Sequence, residues 1–532
     1  MQNHVTAIPP AAKAKPGLAP WIFALTVVAW AARVALCFRG GQLFVGDEGR
    51  YLQGLNLYYA LSQGRGAEAR WLLSLPDHQL FIWLCALIAP LQHAAGSLFG
   101  WGDWTVQANI GHGLPLGAAV LSFASAALIP AIYILARRLG ASEFQAGWSA
   151  VFVAGSNTLF YMSRHFQPYD TAVLLWLCSL LLGDGTRRTG WFLAGLVGAL
   201  NFFLYTGYWF LPPLTGAWVL RRQRALVPGL WWAAGSALGV SIPLAVGWWA
   251  GGPVYWHYLR WFSNSVKLGL FSEGWSLPWE YLWHTEGWAG AALLGLMATV
   301  LWIRRRAIPA YVVAALALFV GCYALMVFGS VGLERFVVYG RTCRPLVPLL
   351  AVVAAWGFAT VLPERRPVQL AALGAVLLCT FPRLAENYVR VFPREIEARV
   401  VAEYGNPKRA VSFSGTLYSR MQAPVDRPDL ALCNAVNLYP IRAYGGLPAG
   451  RTLLSFPHPL AFRPYQYEGH TPRERMELRA HDIAIKLIAL DQPGDVPDFP
   501  RHEDLFGEDV RGDGYDKGRA QVLDGGRGAT GP

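Results

Sequence analysis

Apolar runs recur along the chain from residue 20 to residue 381, separated by short polar segments that carry most of its Arg and Lys. The longer runs suit helices that cross a hydrocarbon core about 30 Å thick, which takes about 20 residues. Spans are expected near 20–38, 114–135, 144–162, 169–183, 190–205, 206–220, 228–250, 286–303, 309–329, 343–361 and 368–381. The basic clusters Lys13/Lys15, Arg137-Arg138, Arg187-Arg188, Arg221-Arg222 with Arg224, Arg304-Arg305-Arg306 and Arg365-Arg366 fall so that two spans separate each from the next. An excess of Lys and Arg marks cytoplasmic loops. The pattern therefore predicts an inside N-terminus, about 11 transmembrane helices and an outside C-terminus. The apolar run 80–98 would break this alternation if it spanned, so it is expected along the outer interface.

After Phe381-Pro382 charges become frequent and apolar runs shorten. An amphipathic stretch, 396–404, precedes strand-like pieces at 410–413, 430–435, 452–456 and 484–490, with a helical run at 472–480. Mixed helix and strand of this kind predicts a small α/β domain. The expected organisation is a cytoplasmic tail (1–19), a transmembrane domain (20–381) with a large first outer loop (40–112), an extracytoplasmic α/β domain (382–506) and a Gly-, Asp- and Arg-rich flexible tail (507–532).

With 54% hydrophobic and 15% charged residues among 532, the composition is far from that of a soluble domain. The net charge of +12 lies wholly before residue 382, because acids and bases balance beyond it. The basic excess thus reads as a topology signal, and no nucleic-acid partner is expected. The seven Cys show neither a disulfide framework nor metal-binding spacing. The first apolar run lacks a small-residue cleavage site and is expected to stay as a membrane helix.

Asp47-Glu48 follows that first helix, in Phe44-Val45-Gly46-Asp47-Glu48-Gly49-Arg50-Tyr51. Carboxylates at a membrane boundary are costly to desolvate and tend to mark sites. On the expected topology the outer face also gathers Asp77, His78, His165, Asp170 and Glu286, with the cations Arg164, Arg341 and Arg344. Carboxylates beside arginines suit transfer from a phosphate-linked donor, where a carboxylate takes a proton from a hydroxyl and cations hold the departing phosphate. The competing readings are a helix cap for Asp47-Glu48 and for Asp170, and headgroup snorkelling for Arg341 and Arg344. A divalent metal is left open but has no support in His or carboxylate spacing, and no cofactor is certain.

Asp-Glu after the first helix, with Tyr51 three residues on, resembles the first-loop motif of the GT-C membrane glycosyltransferases. The likeness is greatest to the protein O-mannosyltransferase and lipid A aminoarabinose transferase family. Leu75-Pro76-Asp77-His78-Gln79-Leu80-Phe81 resembles the segment that opens that family's interfacial helix. Tyr161–Asp170 resembles its polar loop after the third span, and Gly340–Pro348 its late Arg- and Pro-containing loop. A Lys frequent in the family near Tyr205-Thr206-Gly207-Tyr208 is absent.

The resemblance implies an enzyme in the plasma membrane (the inner membrane of a bacterium) that uses a polyprenyl-phosphate sugar at the outer face and inverts the anomeric centre. It implies Asp47 and Glu48 as the catalytic pair, and Arg341, Arg344 and Arg164 as contacts to the donor phosphate. Asp170, Tyr51, Asp77, His78 and His165 would meet sugar or acceptor. The acceptor is a hydroxyl on a glycan, a lipid or a protein, and membrane lipid is the setting. A transporter or lipid or polysaccharide flippase is the alternative, but the chain shows no internal repeat and Arg33 is the only evident mid-span charge. A non-catalytic platform would leave Asp47-Glu48 without a purpose.

Overall fold

The computed structural model describes residues 19–39, 42, 48–100, 110–265, 274–362, 365–385, 393–410, 425–434, 448–457 and 484–492. Helix α1 (Pro20–Phe38) is followed, in the expected first outer loop, by α2 (Gly49–Ser62), α3 (Gly66–Leu73) and α4 (Gln79–Leu98). Then come α5 (Ile110–Leu139), α6 (Glu143–Gly155), the short α7 (Asn157–Tyr161), α8 (Tyr169–Gly183) and α9 (Arg188–Leu204). Helices α10 (Leu211–Gln223), α11 (Leu226–Gly251), α12 (Pro253–Ser265), α13 (Leu277–Ile303), α14 (Ala310–Val327), α15 (Leu346–Val361) and α16 (Arg366–Leu384) complete the apolar part.

Among the described residues, five helices are long and apolar enough to cross a membrane: α1, α4, α5 from Gly113, α11, and α14 extended to Gly332. Shorter apolar helices, among them α8, α9 and α15, lie over five of the other expected spans (169–183, 190–205, 286–303, 343–361 and 368–381). By length and composition alone α4 qualifies as a span, whereas the charge alternation predicts an interfacial helix. It is kinked-prone at Pro90, and its start is set by His78, which takes a left-handed backbone (φ 54°).

Helix α5 is the most buried of the five and packs against α1, α6 and α8. Helices α9 and α11 approach so closely that a Cβ on Gly195 would lie 1.9 Å from the Trp232 carbonyl oxygen, and one on Gly235 1.9 Å from that of Phe192. Small residues permit such backbone contact where lipid gives no hydrophobic drive to association.

Two expected spans are interrupted. The run 144–162 breaks at Ser156, whose extended backbone (φ −69°, ψ 122°) ends α6 and starts α7. The run 206–220 opens with a 3₁₀ turn, Thr206–Tyr208, and α10 begins only at Leu211. At the first break the Ser156 hydroxyl accepts from the Leu159 amide at 3.4 Å, a local competition with helical pairing that hydropathy does not register.

Beyond the apolar part, α17 (Pro393–Tyr404) covers a four-stranded sheet of β1 (Pro407–Ala410), β2 (Arg427–Asn434), β3 (Gly450–Pro457) and β4 (Ala484–Leu490). The sheet order is β1-β2-β4-β3, with β1 parallel to β2 and the other pairs antiparallel. Val400 of α17 packs on Leu430, Leu432 and Leu487, the inward positions at period two. The expected helix at 472–480 and the tail 507–532 lie outside the described residues.

Candidate active site

Glu48 occupies the cap position of α2, yet its side chain caps nothing there. The carboxylate is fully buried and reaches the polar loop instead: Oε1 accepts from the Phe166 amide at 2.8 Å, and Oε2 lies 3.2 Å from His165 Nδ1. On the other edge of that ring, Nε2 accepts from Arg164 Nε at 3.3 Å. Nδ1 therefore carries the ring hydrogen and donates it to Glu48. Glu48, His165 and Arg164 are all buried in one chain of polar contacts. This disposes of the cap reading for Glu48. Asp47, its neighbour, lies outside the described residues.

Five residues along the same loop, Asp170 stands in the first turn of α8 rather than at its cap. Its Oδ1 accepts from Arg344 Nε at 2.8 Å and Nη2 at 2.5 Å. Arg344 precedes α15, is fully buried, and keeps Nη1 without a partner among the described residues. Arg33 approaches the same carboxylate from α1, where it gives Nε to Ser125 Oγ at 3.0 Å and Nη1 to the Ala29 carbonyl at 2.9 Å. Buried arginines in a membrane protein are retained at high cost, and each here has its anionic or carbonyl partner.

Arg341, three residues earlier, makes different contacts. It is half-buried, its Nη1 donates to the Tyr169 hydroxyl at 3.2 Å, and its guanidinium lies over the Tyr339 ring at 4.5 Å. The Tyr208 hydroxyl donates to the Arg341 carbonyl at 2.8 Å. Tyr169, Tyr205 and Tyr208 pack edge to face at 4.8 and 4.7 Å, and the Tyr205 ring lies 5.1 Å from His78. His78 and Arg50 both bind Asp77, Arg50 through Nε at 2.8 Å. Partial burial would raise the Asp77 carboxyl, but Arg50 and His78 hold it well below the usual carboxylate range.

The first loop, the polar loop, the 205–208 turn and the late loop thus converge through side chains. Tyr51 stands apart in role: it is fully buried, stacked on Phe166 at 3.6 Å, and its hydroxyl donates to Gln92 Oε1 at 2.6 Å. That packing fixes Phe166, whose amide holds Glu48. Arg50, Tyr169, Tyr205 and Tyr208 were not singled out as site residues from sequence; Arg50 adjoins the Asp-Glu motif, which was the available signal. Among the described residues no three His, Cys, Asp or Glu side chains gather as a metal would require.

No family model and no curated protein matches the sequence. The chain is similar to the crystal structure of ArnT from Cupriavidus metallidurans bound to undecaprenyl phosphate, at 16% identity and a TM-score of 0.45 over 72% of this chain and 68% of that one. It is similar also to the apo structure of ArnT, at 16% identity and a TM-score of 0.41 over 72% of this chain and 67% of that one. At this identity and these TM-scores the likeness carries no argument about chemistry, which rests on the site's own residues.

Proposed function

We propose that the protein is a multi-pass membrane glycosyltransferase of the GT-C type that moves a sugar from a polyprenyl phosphate to a hydroxyl acceptor at the outer face, with inversion. The observation that carries this reading is the convergence of buried carboxylates and arginines from four segments distant in sequence, inside a chain of apolar helices. Such groups are expensive in a membrane and are retained for function.

The acceptor hydroxyl gives its proton to a carboxylate while its oxygen bonds to the anomeric carbon, and the bond from that carbon to the phosphate oxygen breaks. Glu48 is spent on Phe166 and His165, so Asp47 is the member of the pair left to act as base. Arg341 stabilises the leaving polyprenyl phosphate, with the spare Nη1 of Arg344 behind it. Arg164, Glu48 and His165 hold the polar loop, and the Asp77–His78 pair with Tyr205 faces sugar or acceptor.

A cavity of about 480 Å³ supports a long apolar donor. It is lined along α15 by Val347, Leu350, Ala351 and Ala354, and that helix starts two residues after Arg344. An isoprenoid chain running along α15 would keep its phosphate at the arginine end.

Asp47→Asn tests the assignment with purified protein and a radiolabelled polyprenyl-phosphate sugar. General-base assistance is worth about 10² to 10⁴ in rate, so transfer should fall at least that far while the donor still binds. Near-wild-type turnover would remove Asp47 as the base. Reporter tags after Arg138 and Arg305 should read cytoplasmic and tags at 400–530 extracytoplasmic; the reverse at residue 450 would place the site on the wrong face.

A further inference from the structure

Helix α13 is not continuous: Gly287 has φ 65° and ψ −150°, a region open essentially to glycine alone. The residue before the break, Glu286, turns its carboxylate to the start of α7. Oε1 accepts from the Ser156 hydroxyl at 2.7 Å and the Thr158 amide at 2.8 Å, and Oε2 accepts from the Asn157 amide at 3.0 Å. Asn157 Nδ2 returns a bond to the Thr285 carbonyl at 3.3 Å. Four hydrogen bonds thus tie 156–158 to 285–286 across about 130 residues of chain.

Helix α7 has five residues, too few to persist by its own hydrogen bonds. It runs straight into the loop of Arg164 and His165, where the Ser163 amide bonds the Phe160 carbonyl at 3.1 Å and the His165 amide that of Met162 at 2.9 Å. Just past its end the chain is held again, by Glu48 through the Phe166 amide and the His165 ring. The segment therefore lies between two carboxylates, Glu286 before it and Glu48 after it, each delivered by a remote element. Only the second touches the loop itself.

We propose that Glu286 is a positioning residue: its carboxylate sets the start of α7 and, through that short helix, the placement of Arg164 and His165. This rests on the glycosyltransferase reading above for its catalytic consequence, though not for the geometry. A shift of about 1 Å at reacting groups can cost about 10²-fold in rate.

The test combines kinetics with amide hydrogen exchange on full-length Glu286→Ala, Glu286→Gln and Ser156→Ala in detergent. In Glu286→Ala, kcat should fall about 10²-fold with donor KM changed less than about threefold, the split expected when ground-state binding is retained. Exchange should quicken across 157–168, beyond the two amides that Glu286 holds directly. Glu286→Gln, whose amide oxygen still accepts, should recover part of both losses, and Ser156→Ala should show a smaller version of each. If Glu286→Ala does not fold, the other two variants carry the same comparison. Faster exchange confined to 157–161, or a KM rise matching the rate loss, overturns the positioning role. A wild-type protein that transfers no sugar from any polyprenyl phosphate sinks the functional reading instead, and the exchange arm still decides whether Glu286 places the loop.

Discussion

Arg344 meets Asp170 at 2.8 and 2.5 Å; Arg427 meets Asp429 at 2.8 and 2.6 Å. The lengths are alike, but the first pair is 0% and 9% exposed at its side chains and joins residues 174 apart, whereas the second is 41% and 47% exposed and joins residues two apart. In water an ion pair replaces good hydration with a slightly better contact, and the net gain is small. In a low-dielectric interior neither charge has an alternative, so the pair is retained only where both partners are present. Bond length alone does not separate a buried, long-range pair from a surface one. Burial and sequence separation do.

The largest effect is expected from removing one member of the buried pair. Asp170→Ala leaves Arg344 charged and without its anion, a loss of about 3–5 kcal/mol. A thermal melt in detergent followed by tryptophan fluorescence should show it, and Asp170→Ala with Arg344→Met should recover a large part. An unchanged melting temperature in the single variant would put the pair in the same class as Arg427–Asp429.

Glu48→Gln is next. It keeps an acceptor for Phe166 but weakens the charged bond to His165, and hydrogen bonds to charged groups are worth about 1.5–3 kcal/mol. On the proposed mechanism its rate defect should be milder than that of Asp47→Asn, since Glu48 bonds the Phe166 amide and His165. If Glu48→Gln were the inactive variant and Asp47→Asn turned over normally, the roles within the pair would be exchanged.

Asp77 is intermediate, with 31% of its side chain exposed, and Asp77→Asn should cost about 1 kcal/mol after solvent screening. A carboxyl depressed in the folded state stabilises above its unfolded pKa of about 3.9 and loses that contribution as pH falls. Wild type and Asp77→Asn should therefore differ at pH 7, and the difference should shrink progressively as pH falls below about 4 toward the depressed folded value. A difference that persists undiminished at low pH would mean that Asp77 acts through packing.

The smallest effect belongs to the exposed pair. The hydrogen bond from Arg427 holds the Asp429 carboxyl below its usual value, but both groups keep their water. Asp429→Asn should leave the melting curve unchanged within error. A measurable loss would show that the sheet depends on this contact and would erase the contrast with Arg344–Asp170.

Helices were legible in the chain because a helix is a local object: each amide pairs four residues back, and an apolar run of sufficient length leaves the backbone no other partner in lipid. The strand-like pieces expected at 430–435, 452–456 and 484–490 overlap β2, β3 and β4 and were legible for the same reason, through local pattern and turn residues close by. The Asp-Glu motif, the Pro-Asp-His start of α4 and the two late arginines stood out because charge is rare in such a composition. What each charge does was decided only in three dimensions. Glu48 could have capped its own helix; it holds a loop 117 and 118 residues away. Arg344 and Arg341 read alike in sequence, yet one is locked to Asp170 and the other lies against Tyr169 and Tyr339. The break at Ser156 was hidden as well, since hydropathy averages over a window and a single carboxylate from across the bundle, Glu286, overrides it. Hydrophobic pattern fixes which segments are helices; the partners of a buried charge depend on which helices pack together, and that choice is spread over the whole chain.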